Sequence, residues 1–400
     1  MNSQRTTGFV LLLMLALSSF AREPIKSPTT IQTTAVRARD LGIPFEGVAG
    51  KLNAITDVAG VEVGYTTLIS GEGKLEVGKG PVRTGVTAIL PRGQASLNDP
   101  VYAGFFGLNG NGEMTGTAWV EESGFLEGPI VITNTHSVGV ARDAVIAWQV
   151  KQGTGSQTSW SLPVVAETWD GWLNDINGFH VKPEDVWHAL DTAHGGGIEE
   201  GSVGGGTGMI CYEFKGGNGT ASRVVSVAVA GGRDPGSQKA SRAYTVGVFL
   251  QANFGRRTQL VIADVPVGQK IPGQVYKSEN GSCIAVVATD APLLPNQLQR
   301  LARRVSLGIA RTGTISGNSS GDLFIAFSTA NPNAASADQI THDVQTIPND
   351  LMDPLFAGVV QATEEAVLNA LVDNRSMTGR DSHHVEALPH DRLREILKRR

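Results

Sequence analysis

A hydroxyl at the first residue of a buried strand, directly after a turn, is a nucleophile held still, and Ser282 fits that description. The segment Lys277-Ser278-Glu279-Asn280-Gly281 ends in Asn-Gly, the strongest short turn signal. The run that follows, Cys283-Ile284-Ala285-Val286-Val287-Ala288-Thr289-Asp290, is apolar without alternation, the pattern of a strand buried on both faces. Such a hydroxyl can attack the carbonyl before it. If the Gly281–Ser282 bond breaks, Ser282 becomes a chain terminus with a nucleophile and a base in one residue, because a free α-amine has a pKa of about 7.7–8.0. The bland alternative is a loop entering a strand. Asn280-Gly281-Ser282 also matches a glycosylation sequon, as do Asn218-Gly219-Thr220 and Asn318-Ser319-Ser320, so that match discriminates little.

Three other groups could serve acyl transfer. The strand Leu162-Pro163-Val164-Val165-Ala166 delivers Glu167-Thr168-Trp169-Asp170-Gly171-Trp172 to its end. A carboxylate among apolar residues, with Trp169 and Trp172 close by, suits an ammonium ion through charge pairing and cation–π attraction. A surface acid beside two core indoles is the alternative. Asn253 ends the strand Ala243–Gln251, where a side-chain amide can donate to a developing oxyanion; it can equally be a turn residue. Finally, Ser320 and Asp322, in the turn-like run Gly317-Asn318-Ser319-Ser320-Gly321-Asp322, lie two residues apart and face the same way on an extended backbone.

Other candidates carry less. Gly201-Ser202-Val203-Gly204-Gly205-Gly206 resembles a dinucleotide fingerprint, but it follows a helix and opens the strand-like Met209–Phe214, the reverse of what that motif needs. Gly107–Gly116 is too glycine-rich for a helix or a regular strand and does not fit a phosphate loop; close packing against the site is the better reading. His136 reads as structural. His383-His384 lacks a third ligand at useful spacing, so no metal or organic cofactor is expected. Cys211 and Cys283 read as small buried residues, Cys283 facing opposite to Ser282.

The elements that must hold these groups are legible in outline. Strands are expected at Val61–Thr67, Gly85–Pro91, Pro129–Thr135, Arg223–Ala230, Ala243–Gln251 and Leu323–Phe327. A helix follows Ser137 as N-cap, another starts at Lys182-Pro183, and a third carries the stripe Leu294, Leu298, Leu301, Val305, Ile309. A last one starts at Asp353-Pro354; the tail to Arg400 is a short peripheral helix or disordered.

Composition sets the limits. Four hundred residues with 41% hydrophobic and 18% charged side chains describe a globular chain, and a net charge of −5 without a basic stripe argues against nucleic acid. Arg5, the apolar run Phe9–Leu17 and Ser19-Phe20-Ala21 form a secretory signal cut near Ala21, which predicts a periplasmic or secreted protein, off the membrane once the signal is removed.

The run from Asn280 to Ala291-Pro292-Leu293-Leu294 resembles the self-processing aminopeptidases of the DmpA type, the L-aminopeptidase D-esterase/D-amidases, and their β-peptidyl aminopeptidase relatives. The likeness extends from about Arg37 to about Leu371. It implies an α+β, four-layer αββα sandwich with the layering of N-terminal-nucleophile hydrolases but different connectivity. It implies residues 1–21 as signal, 22–281 as a larger chain and 282–400 as a smaller one, cut at Gly281–Ser282. By the same resemblance Ser282 is the nucleophile, Ser320 hydrogen-bonds it, Asp322 orients that pair, Asn253 holds the oxyanion and Glu167 holds the substrate's free amino group. The substrates would be peptides, amides or esters, with D- and β-amino acid derivatives included, and the assembly a homotetramer. The chain departs from the β-peptidyl members in having Asp322 where they carry glutamate, which favours the L-aminopeptidase D-amidase branch, and in having Trp169 and Trp172 where some relatives carry tyrosine. The rival readings are an acetyltransferase of the ornithine acetyltransferase type, which would use threonine as nucleophile, and a non-enzymatic periplasmic binding protein.

Overall fold

The computed structural model describes residues 36–153, 160–229, 240–273 and 281–398. The expected signal, Asn280 and the rest of the turn before Gly281 lie outside them. Two sheets make the middle of the molecule. The smaller has the order β1 (Glu62–Ser70), β2 (Val82–Leu90), β5 (Ile130–Asn134), β6 (Val164–Thr168). The larger has the order β4 (Phe125–Leu126), β3 (Val101–Gly110), β12 (Ser320–Ser328), β11 (Gly281–Thr289), β10 (Ser241–Asn253), β9 (Gly217–Ala228). Two hairpins lie apart: β7 (Ile210–Cys211) with β8 (Phe214–Lys215), and β13 (Met377–Thr378) with β14 (His384–Val385).

Side-chain alternation along the strands assigns the layers. Ile89, Ile130, Ile132, Val164 and Ala166 from the small sheet meet Phe249, Ile284, Val286, Ile325 and Phe327 from the large one in a shared core. The intervening residues Val86, Ala88, Val131 and Val165 pack outward with α2 (Val138–Lys151) and α3 (Pro183–Asp191). On the far side, Cys283, Ala285, Val287, Phe324 and Ala326 pack with α5 (Pro295–Arg311) and α6 (Asp353–Val372). The order is helix, sheet, sheet, helix, the expected αββα sandwich. The short helices α1 (Thr117–Ser123) and α4 (Val267–Lys270) are peripheral, and α7 (His390–Lys398) buries Leu393 and Ile396, so the tail is helical and docked.

Three local expectations change. The stretch Gly107–Gly110 is not a loop but the end of β3, paired with β12 through an irregularity near Leu108. Glycine and asparagine are poor strand formers; the long partner β12 imposes the extended backbone. Ser320 and Asp322 are not in a turn but open β12. Ser137 makes no side-chain cap; the Asn134 Oδ1 accepts from the His136 N–H at 3.0 Å and caps the single turn before α2. Both cysteines are buried and free of disulfides.

Candidate active site

The site lies where β11, β12 and β10 begin or end together. In the antiparallel β10–β11 pair Asn253 stands opposite Ser282, and in the parallel β11–β12 pair Gly281 stands opposite Ser320 and Ser282 opposite Gly321. Neighbouring strands run about 4.8 Å apart, so three of the groups singled out in the sequence share one sheet edge. All are buried: Ser282 at 3%, Asn253 at 2%, Ser320 at 0% and Asp322 at 1% exposure.

With the Gly281–Ser282 peptide intact, the Ser282 hydroxyl donates to the Gly281 carbonyl oxygen at 2.8 Å. The hydroxyl thus lies over the peptide it would attack. Gly281 itself is extended rather than left-handed. Its lack of a side chain has another cause: a Cβ there would stand 2.9 Å from the Asn253 carbonyl carbon and 3.1 Å from the Phe254 Cα. Only glycine lets this bond lie so close to the end of β10.

Ser320 Oγ donates to Asp322 Oδ1 at 2.8 Å, and the Ser316 hydroxyl donates to Asp322 Oδ2. Burial pushes the Asp322 carboxyl above its ordinary range, while the two hydroxyls and the Cys283 N–H pull it back. In the uncut chain, then, Ser320 is bound to Asp322 and Ser282 to the Gly281 carbonyl; the oxygen of Ser320 keeps acceptor capacity for a hydroxyl freed by the cut. Sequence reasoning does not single out Ser316, which stands one residue before the turn-like run Gly317–Asp322. Its left-handed backbone, φ 53°, turns the chain just before β12.

Glu167 is the penultimate residue of β6, at 3% exposure. Its Oε2 accepts from the Thr135 hydroxyl and its Oε1 from the Glu113 N–H at 3.1 Å. Thr135 follows β5, which runs parallel to β6 with Thr133 opposite Glu167, so the chain leaving one strand supplies the donor for the carboxylate on the next. The Gly112 backbone ties Glu167 to the nucleophile: a Cβ on Gly112 would lie 3.2 Å from Glu167 Oε1 and 3.1 Å from the Gly321 Cα, opposite Ser282. The glycine-rich stretch does pack against the site, as its composition suggested. Burial raises the Glu167 carboxyl above its ordinary value against the lowering effect of Thr135 and Glu113 N–H.

Trp169 and Trp172 are both half-buried. The Trp169 carbonyl accepts from Asn253 Nδ2 at 2.8 Å, joining the segment after Glu167 to the amide opposite Ser282. The Trp172 ring stacks on His383, 4.1 Å between centroids, and the His383 Nδ1 stands 2.8 Å from the Trp172 carbonyl. His383 therefore buttresses the loop. Among the described residues no group of three metal-ligating side chains converges.

A model of Peptidase family S58 matches residues 53–385. The chain belongs to that family. It is 52% identical over 379 residues to the β-peptidyl aminopeptidase BapA of Sphingosinicella microcystinivorans, spanning 91% of this chain and 92% of that one. Among solved structures it is similar to the L-aminopeptidase D-Ala-esterase/amidase of Ochrobactrum anthropi, described as a prototype serine aminopeptidase and a variant of the Ntn hydrolase fold. That match has 49% identity and a TM-score of 0.82, over 91% of this chain and 98% of the other. A Burkholderia sp. β-aminopeptidase gives 44% identity and a TM-score of 0.80 over 91% and 99%. As an S58 member with this fold, the chain is a serine aminopeptidase/amidase of the N-terminal-nucleophile kind. Neither an acetyltransferase nor a binding protein finds support.

Proposed function

We propose that this S58 enzyme cuts its own Gly281–Ser282 bond and then removes N-terminal residues from peptides, amides or esters that carry a free amino group. The observation that carries the reading is the Ser282 hydroxyl, folded onto the Gly281 carbonyl between Asn253 on one side and the Ser320–Asp322 pair on the other.

In self-cleavage, Ser282 Oγ attacks the Gly281 carbonyl carbon. The amide C–N bond breaks, the Ser282 nitrogen takes the proton from the hydroxyl, and water hydrolyses the resulting ester. This frees the Gly281 carboxylate and the Ser282 α-amine. In turnover the same Oγ attacks the substrate carbonyl. The α-amine takes the hydroxyl proton with Ser320 as relay and returns it to the leaving amine, and water then hydrolyses the acyl-enzyme ester to regenerate the Ser282 hydroxyl. Asn253 Nδ2 has a second hydrogen beyond the one given to Trp169, and this is the donor for the oxyanion. Glu167 binds the substrate ammonium, which limits attack to the first residue.

One named relative is a β-peptidyl aminopeptidase and another an L-aminopeptidase D-Ala-esterase/amidase, and their identities to this chain, 52% and 49%, do not separate the two. Asp322 supports the second group. The expected result with a panel of L-, D- and β-aminoacyl p-nitroanilides is turnover of the free-amine L and D compounds above the β compounds. Preference for the β-aminoacyl compound would reverse that assignment. Export to the periplasm or medium is part of the same reading, supported by Arg5, the run Phe9–Leu17 and Ser19-Phe20-Ala21; a larger fragment beginning at Arg22 on N-terminal sequencing checks it. Assembly as a homotetramer rests on the family resemblance and is read by light scattering of the purified enzyme.

The Glu167 role has a separable test. Glu167→Gln should lower kcat/KM on free-amine substrates roughly 10- to 100-fold, the worth of a charge-assisted hydrogen bond of about 1.5–3 kcal/mol, and leave self-cleavage intact. It should also stabilise the fold at neutral pH. The folded-state pKa lies above the unfolded one, so the unfolded state releases its proton first as pH rises, and wild-type stability falls through that window. The advantage of the variant should therefore fade in acid, below the ordinary carboxylate value. Equal wild-type activity on N-acetylated and free-amine substrates would remove Glu167 from this role.

A further inference from the structure

Lys215, in β8, is fully buried, and among the described residues no carboxylate pairs with it. Its Nζ donates to the Met209 carbonyl at 2.8 Å and to the Gly216 carbonyl at 2.7 Å. An ammonium buried without a carboxylate is costly, and burial takes its pKa down to about 7 against the opposing influence of Cys211. Packing alone does not explain it, since a methionine of similar volume would fill the space without desolvating a charge. Nor is it needed to satisfy the Met209 carbonyl, which also accepts from the Gly216 N–H at 2.9 Å.

The other end of the same peptide gives the lysine a use. The Met209–Ile210 peptide is planar, its C=O and N–H pointing opposite ways. Its carbonyl meets Lys215, and its N–H, at Ile210, donates to Asn253 Oδ1 at 2.8 Å. Asn253 Oδ1 is conjugated to Nδ2, the donor assigned to the oxyanion. When Nζ carries its proton, the charge at the Met209 oxygen withdraws density from the peptide and makes its N–H a stronger donor. That N–H polarises the Asn253 amide in turn, so Nδ2–H donates more strongly to a negative oxygen. The hairpin also fixes the orientation of Asn253, because Ile210 N–H takes Oδ1 and leaves Nδ2 no freedom to exchange places with it.

We propose that Lys215 is a positioning residue for this enzyme's oxyanion hole, acting through the Met209–Ile210 peptide on Asn253. The inference rests on the assignment of Asn253 to the oxyanion, and the test separates the two. Processed wild-type enzyme, Asn253→Ala, Lys215→Met and the double variant are assayed on one free-amine aminoacyl p-nitroanilide, with melting temperatures measured alongside. Asn253→Ala should lower kcat roughly 10²- to 10³-fold. Lys215→Met should lower kcat on the order of 10-fold with KM unchanged, because the effect falls on the transition state. In the Asn253→Ala background the lysine substitution should cost nothing further. Lys215→Gln, which keeps a neutral donor for the carbonyl, should show the same loss as Lys215→Met and serves if the latter does not fold. Full kcat in Asn253→Ala would sink the oxyanion assignment and this inference together. A low kcat there with full kcat in either folded lysine variant, or losses that multiply in the double variant, would overturn the lysine role alone. Failure of both lysine variants to give folded, self-cut enzyme would make Lys215 a structural pin of the β7–β8 hairpin and equally overturn it.

Discussion

Ser282→Ala should leave one uncut chain with no measurable peptidase activity, whereas the wild type should run as two fragments of about residues 22–281 and 282–400. Intramolecular attack needs no protease. Holding the reacting groups in place is worth several orders of magnitude in effective concentration, and Ser282 Oγ is already hydrogen-bonded to the carbonyl at 2.8 Å. Loss of the nucleophile should lower kcat by roughly 10⁶-fold, the scale for a serine hydrolase. The substitution removes one hydroxyl and should not unfold the chain. Nor should the cut separate the fragments in the wild type. The strand β11 of the smaller fragment pairs with β10 of the larger along its whole length, and Ile284, Val286 and Val287 are fully buried. Each such side chain is worth about 1.5–3 kcal/mol of burial. N-terminal sequencing of the small fragment should read Ser-Cys-Ile-Ala-Val. A wild-type chain that is fully active without being cut would refute the mechanism.

Two kinds of information stood in the sequence. The run Cys283–Asp290 declared itself a buried strand through its β-branched residues, and the structure gives β11 the bounds Gly281–Thr289. The stripe Leu294, Leu298, Leu301, Val305, Ile309 and the prolines Pro183 and Pro354 marked helices that form, with Leu294 at the N-cap of α5 rather than inside it. Short-range chemistry was enough for these. What stayed hidden depends on contacts far along the chain. Nothing local tells Ser320 that it opens a strand; the pairing with Gly281 does. Nothing near Glu167 names Thr135 as its donor, because that contact needs β5 and β6 side by side in parallel. A reader who had paired those strands from the intervening helix could have proposed a hydroxyl at Thr135. Lys215 left no signal: in sequence it is one charged residue after Phe214, and only the fold buries it. The indoles were half legible. Trp169 and Trp172 do lie on the loop after Glu167, but the stacking of Trp172 on His383 joins residues far apart in the chain.

Ser320→Ala and Asp322→Asn should each lower kcat by roughly 10²- to 10⁴-fold, the usual worth of a proton-transfer partner, and the double variant should fall little below either. Ser320 touches the reacting end of β11 through its register opposite Gly281, while Asp322 reaches it through the Ser320 hydroxyl at 2.8 Å and through the Cys283 N–H that follows the nucleophile. If Asp322 acts by holding Ser320, removing either disables the same relay, and the losses overlap. Stability separates this from simple damage. Burial raises the Asp322 carboxyl above its unfolded value, so ionised Asp322 costs folding free energy once the pH passes that value. Asp322→Asn should therefore melt no lower than the wild type at neutral pH while losing turnover. Ser316→Ala, which removes the second hydroxyl on Asp322, should have a smaller effect on kcat because Ser320 keeps its own bond to the carboxylate. Steady-state kcat values for the four variants, with melting temperatures beside them, decide the matter. Losses that multiply in the Ser320→Ala/Asp322→Asn enzyme would give the two residues independent tasks, with Asp322 acting on the Cys283 end of the strand rather than through Ser320.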